Sequence, residues 1–177
     1  MKLFWAALSG VLCTAHISFA EPRVTYNAYG MPGLVDMPSA QSAPDAELSF
    51  SVSQSGKSLR NTLTFQIAPR LTGAFRYSSI ERPTQTLYDR SFDLRYRLLD
   101  ETQLRPAVAV GLQDFIGTGV YSGEYVAASK TFGPVVATAG IGWGRLGSHN
   151  SFDNPLGLIS SRFDTRDAGF TGTGGRI

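Results

Sequence analysis

The segment SFDLRYRLLD, residues 91–100, carries Phe92, Leu94, Tyr96 and Leu98 at every second position, with Ser91, Asp93, Arg95 and Arg97 between them. Successive side chains of an extended strand point to opposite faces, so this segment has one apolar face and one charged face. Two architectures accept such a strand. In a water-soluble sandwich the apolar face lies in the core. In a membrane barrel it faces lipid, and the charges look into an enclosed polar interior.

The same period recurs along the chain. Leu48, Phe50 and Val52 alternate with Ser49, Ser51 and Ser53. Leu63, Phe65 and Ile67 alternate with Thr62, Thr64 and Gln66, and Phe75 and Tyr77 flank Arg76. Val108, Val110 and Leu112 alternate with Ala107, Ala109 and Gly111, and Ile141 and Trp143 stand opposite Thr138, Gly140 and Gly142. A further segment, 121–131, sets Tyr121 and Tyr125 against Ser122, Glu124 and Lys130. The period predicts seven antiparallel strands within 46–145, of about nine to eleven residues, where soluble strands average about five to six. A tilted strand needs about that length to cross a bilayer. Turns at 68–70, 100–102 and 132–134 read as tight, whereas 81–89, 114–120 and the stretch after 145 read as longer loops. Short turns at one end and long loops at the other are how outer-membrane barrels divide their two sides.

The remaining composition narrows the class. Lys2, an apolar run to Ile17 and Ser18-Phe19-Ala20 before Glu21 read as a secretory signal peptide over residues 1–20. The apolar run is too short for a spanning helix. Leu12 before Cys13 is too bulky for a lipoprotein cleavage site, so the mature chain is expected to be cysteine-free, with neither disulfides nor thiolate chemistry. Residues 21–45 are expected to be a periplasmic lead-in, and 146–177 a long external loop. A net charge of +2 over 177 residues gives no reason to expect nucleic acid as a partner.

Under the barrel reading, Arg60, Arg76, Asp93, Arg95, Arg97, Arg105, Glu124 and Lys130 line the polar interior. Tyr77, Tyr96, Tyr121, Tyr125 and Trp143 sit at the membrane boundary, where amphipathic rings are favoured. No cofactor, metal or catalytic residue is expected. His149 stands alone in a loop beside Asp153, His16 leaves with the leader, and a three-ligand zinc site lacks partners. Asp93, Asp114 and Glu124 fit ion pairs with neighbouring arginines better than an acid–base pair. Gly140, Gly142 and Gly144, spaced by two within a strand, leave interior space or allow strand curvature rather than form a nucleotide loop. The chain is expected not to be an enzyme.

The residues also carry a resemblance. Gly33-Leu34, Pro38-Ser39-Ala40 and Ala43-Pro44-Asp45 resemble the opening of the YjbH family of exopolysaccharide and capsule secretion proteins, with Ala46 standing where the family has Gly. YDRSFDLRYRLLDE, GLQDFIGTGVYSGEYVAASK and GIGWGRLGS resemble the same family. The resemblance implies an outer-membrane β-barrel in contact with lipid, with exopolysaccharide and with other secretion-system proteins. Family members are longer, and seven strands leave a barrel open with unpaired edges, so the chain is expected to be the N-terminal piece of a larger barrel. The alternative is a soluble periplasmic β-sandwich that binds a carbohydrate or a protein.

Overall fold

A computed structural model describes residues 23–147 and 152–164. The leader, with Cys13 and His16, lies outside the described residues, as does His149. The period-2 segments form one seven-stranded antiparallel sheet in simple meander order. After a two-stranded hairpin of β1 (Gly33–Leu34) and β2 (Met37–Pro38), the sheet strands are β3 (Leu48–Ser55), β4 (Ser58–Ala68), β5 (Leu71–Glu81), β6 (Thr86–Leu99), β7 (Ala107–Gly117), β8 (Gly123–Phe132) and β9 (Val135–Gly144). The sheet curls into a half-barrel. Among the described residues no helix is long and apolar enough to cross a membrane.

Burial follows the alternation in an inverted sense. Along β4, Arg60, Thr62, Thr64 and Gln66 are buried, while Leu59, Leu63, Phe65 and Ile67 are exposed. Along β6, Asp89, Ser91, Asp93 and Arg95 are buried, while Phe92, Tyr96 and Leu98 are exposed. The register aligns the exposed side chains in rows. Phe50 pairs with Leu63, Leu63 with Phe75, Phe75 with Phe92 and Phe92 with Ile116, a belt across five strands at one height. All five are between 37% and 66% exposed. The apolar face therefore coats the convex outside, and the concave inside is polar.

The connections depart from the expected division. Pro69-Arg70 and Gly133-Pro134 are two-residue turns, but 100–106 at the same end is a seven-residue connection. It is organised by Thr102 N–H on the Arg105 carbonyl (3.0 Å) and by Arg105 Nε on the Asp100 carbonyl (3.3 Å). At the other end, β3 and β4 are joined through Gly56 and Lys57 alone, and the expected loop at 81–89 shrinks to 82–85 because β6 begins at Thr86. Polarity concealed that extension: Thr86, Tyr88 and Arg90 face outward, so both faces of the first turn of β6 look hydrophilic in sequence.

The concave face is occupied. Residues 23–45 do not trail away from the sheet as a lead-in; they fold back over it. Tyr29, Met31, Pro32 and Ala40 are buried there, beneath the side chains of β4 to β8. Asn27 organises the turn, its Oδ1 accepting from the amides of Tyr29 (3.0 Å) and Met31 (3.1 Å). Residues 152–164 form two short 3-10 helices, Pro155–Leu158 and Ser161–Phe163, each capped by the side chain before it, Asn154 and Ser160.

Candidate functional site

The site is the polar concave face together with the segment that fills it. The segment presents main-chain carbonyls, and the strands present donors to meet them. Arg76 Nε donates to the Tyr29 carbonyl (3.2 Å), and Thr64 Oγ1 donates to that of Gly30 (2.6 Å). Arg95 does most of the holding. Its Nε donates to the Ser39 carbonyl (3.2 Å), one Nη to the Gln41 carbonyl and the other to Ser42 and Thr72 hydroxyls. The Ala40 amide in turn donates to Ser129 Oγ (2.9 Å). A guanidinium that serves two carbonyls and two hydroxyls is satisfied without a carboxylate, which is how Arg95 stays fully buried.

Charge is balanced locally. Arg76 and Asp93 form a buried ion pair, both essentially inaccessible, and Asp93 Oδ1 also accepts the Asp114 amide (2.8 Å). Tyr29 is ringed by cations: the guanidinium carbons of Arg145, Arg60 and Arg76 lie 3.8, 4.6 and 5.1 Å from its ring centre. Such contacts are worth about 0.5–2 kcal/mol each. Burial pushes the Tyr29 phenol above its ordinary pKa, with Arg145 and Arg60 opposing the shift. Tyr121 packs edge-on against Tyr29 at 5.3 Å and shares a hydrogen bond with Ser58 (2.8 Å).

The candidate interior residues separate into groups. Arg60, Arg76, Asp93 and Arg95 lie together on the concave face. Arg97 shares their parity but sits at the rim, 3.0 Å from Asp100. Arg105 is not on a strand; it is exposed in the 100–106 connection. In β8 the two faces are reversed relative to the expectation. Tyr121 and Tyr125 are not membrane-boundary residues but buried inside, at 7% and 6% exposure, while Glu124 and Lys130 are on the convex parity. The reason is steric. Tyr125 is the direct partner of Gly111 and of Gly142, and a Cβ on Gly111 would lie 2.2 Å from the Tyr125 ring. The missing side chain of Gly111 leaves room for that ring indoors. Glu124, outside, is covered by residues 152–164, where Asn154 donates to it (2.8 Å). Of the remaining aromatics, Tyr96 is exposed, Tyr77 half-buried and stacked on Tyr88 (6.1 Å), and Trp143 meets Phe152 edge-on (5.4 Å).

Lys130 belongs to a cluster at the end of the sheet. Its Nζ donates to Glu101 Oε1 (2.8 Å), and Glu101 also accepts the Thr131 amide (2.8 Å). The Lys130 bond, followed by the Thr131 amide, holds the Glu101 carboxyl below its usual pKa. A depressed folded-state pKa contributes stability that is present above the unfolded value of about 4.3 and lost as pH falls through the folded one. Glu101→Gln should therefore lower the unfolding midpoint slightly at pH 7 and leave it unchanged near pH 2.5. The effect is small because the pair is solvated. A deficit that persists at low pH would show that charge is not its source.

Residues 25–177 match the family described as "Exopolysaccharide biosynthesis protein YbjH". The chain belongs to the YjbH family. It is 36% identical over 156 residues to "Uncharacterized lipoprotein YjbH" of Escherichia coli (strain K12), a match that covers 82% of this chain and 22% of that relative. The chain thus spans about a fifth of the curated relative it matches. No solved structure matches it. The YjbH match includes the folded-back N-terminal segment as well as the strands.

Proposed function

We propose that this YjbH-family chain contributes wall and plug to an outer-membrane β-barrel that serves exopolysaccharide secretion. The observation that carries the reading is the inversion: buried arginines and aspartates, and an exposed belt of Phe50, Leu63, Phe75, Phe92 and Ile116. An apolar coat of this kind is stable against acyl chains and unstable against water. The family description supplies the exopolysaccharide, and the relative's name is consistent with a Gram-negative envelope address. The interior serves as binding and positioning surface, not as an enzyme active site. Arg76 and Arg95 act through the plug, because their donors are already taken, those of Arg76 by the Tyr29 carbonyl, Ser91 and Asp93 and those of Arg95 by the Ser39 and Gln41 carbonyls and the Ser42 and Thr72 hydroxyls, so glycan meets the plug's surface and the rim before it meets them. The other occupants of such a surface, neighbouring secretion proteins, would bind at the same rim.

Fractionation tests the reading. Cells expressing the full-length family protein should retain it in the outer-membrane fraction after carbonate washing and release it only with detergent. Release by carbonate into the soluble fraction would instead support a periplasmic sheet whose apolar face is covered by a protein partner.

A further inference from the structure

We propose that the β1–β2 hairpin is the plug's second anchor, its apolar side chains docking on the inward side chains of the strand that follows β9 in the wall of the full-length family protein. This contact presupposes the wall and plug proposed above, and not the membrane. The segment that fills the concave face carries three large apolar side chains that it does not bury. Leu34, Val35 and Met37 are 68%, 76% and 56% exposed. They stand together, Leu34 being the register partner of Met37 and Val35 the first residue of the turn between them. Large apolar side chains grouped in this way mark a contact surface rather than a water-facing one.

These side chains border a cleft of about 510 Å3 between the hairpin and the inward positions of β9, from Val136 past Thr138 and Gly140 to Gly142. The two glycines contribute no side chain to its floor. Leu146 closes one end, its Cβ lying 2.7 Å from the place a Cβ would take on Gly142. The hairpin is held in this pose from two sides, by Arg145 on Asp36 at its tip (3.2 Å) and by the Ala40 amide on Ser129 behind it (2.9 Å). The hydroxyls of Thr25, Ser39 and Thr138 line the cleft but are engaged, with the Gly33 carbonyl (2.8 Å), the Gln41 amide (3.3 Å) and Ser129 (2.8 Å). A hydroxyl-rich glycan finds few free partners there, whereas apolar side chains fit.

The occupant follows from the sheet edge. β9 is a terminal strand of the sheet, and among the described residues no strand pairs with its far side. An open edge of this kind is a template for another strand. The match reported above covers only 22% of the curated relative, whose remaining length is ample for further wall. A strand added to β9 lies about 4.7–4.9 Å beyond it, so its inward side chains enter the open side of the cleft, level with Thr138 and Gly140. There they meet Leu34, Val35 and Met37, and the bare glycines of β9 leave them room to lean across. Such a strand differs from β4 and β6, whose inward positions are polar: it is bulky and apolar on both parities. The plug is then held on one side through the polar bonds of Arg76 and Arg95 and on the other through hydrocarbon.

Photocross-linking provides the test. The full-length family protein carrying Leu34→benzoylphenylalanine or Met37→benzoylphenylalanine, illuminated in isolated cell envelopes, should give intrachain adducts. Peptide mapping should place them on inward positions of the strand after β9. Adducts confined to residues 23–147, adducts to glycan or to another polypeptide, or no adduct at all would each overturn the contact. Should those variants misfold, the wild-type sequence decides: the strand after β9 should be apolar on both parities at its centre, and polar inward residues there would overturn the proposal. The contact and the membrane fail separately. Release by carbonate with the adduct intact removes the membrane alone, whereas detergent-only release with no adduct removes the contact alone.

Discussion

Asp93→Asn should destabilise the fold by about 3–5 kcal/mol, the usual cost of stripping the partner from a fully buried ion pair. The substitution preserves shape, and its Oδ1 can still accept the Asp114 amide, so the loss isolates charge. Arg76 is left ionised with no exposed surface and no carboxylate hydrogen-bonded to it. Its remaining partners, Ser91 and the Tyr29 carbonyl, are neutral. Replacing both members with apolar residues of similar volume, Arg76→Met with Asp93→Leu, should recover most of the loss, because the pair's own desolvation cost vanishes with it. The contrast lies at the rim. The Arg70–Asp100 pair is 46% and 40% exposed, and Asp100→Asn should cost no more than about 1 kcal/mol. Urea midpoints of the refolded protein, followed by Trp143 fluorescence, give all of these numbers. A loss under 1 kcal/mol for Asp93→Asn would mean that water reaches Arg76.

The sheet was legible because six of its seven strands place large apolar side chains on one parity and small or charged ones on the other. β8 was not legible for the same reason in reverse. Its two parities read Gly123, Tyr125, Ala127, Ser129 and Glu124, Val126, Ala128, Lys130, and neither is plainly greasy. Taking tyrosines as boundary residues then inverted the strand. The register resolves it, since Tyr125 stands between Gly111 and Gly142 and fills the room left by the missing side chain of Gly111, a relation between strands that no single segment displays.

The plug escaped for a deeper reason. Residues 23–45 have no period, and their anchors, Arg76, Arg95 and Ser129, lie some 47 to 89 positions away. One signal was in plain view. The inward positions of β7 to β9 include Ala107, Ala109, Gly111, Ala127, Gly140 and Gly142. A wall stripped of side chains over so many strands makes space for a solid object, and the hairpin of β1 and β2 overhangs that floor. Gly140 and Gly142, read from sequence as leaving interior space, do leave it, but residues 23–45 fill the concave face. The candidate site divides likewise. The buried arginines were visible from their parity, whereas their partners, carbonyls of a distant segment, carry no sequence identity at all.

The exposed belt yields the second large effect. Phe92→Arg should cost about 2–4 kcal/mol in lipid vesicles, the depth-dependent penalty for a cation near the bilayer midplane. Phe92 sits near the centre of β6, between Phe75, whose ring centre is 5.0 Å away, and Ile116 on β7. Leu63→Arg and Phe75→Arg occupy the same row and should cost as much. Arg at Leu99, the last residue of β6, should cost about 0–1 kcal/mol, because an arginine there snorkels to the interface. The prediction is thus a profile peaked at mid-strand, measured as the change in unfolding free energy of the protein refolded into vesicles. In water the same surface obeys another rule. A 44% exposed phenylalanine replaced by arginine changes stability by only about 0.5 kcal/mol and raises solubility. A flat profile of that size, with variants more soluble than the parent, would place the belt against water or a polar partner and remove the membrane from the reading, whereas a peak at mid-strand requires a slab of hydrocarbon around it.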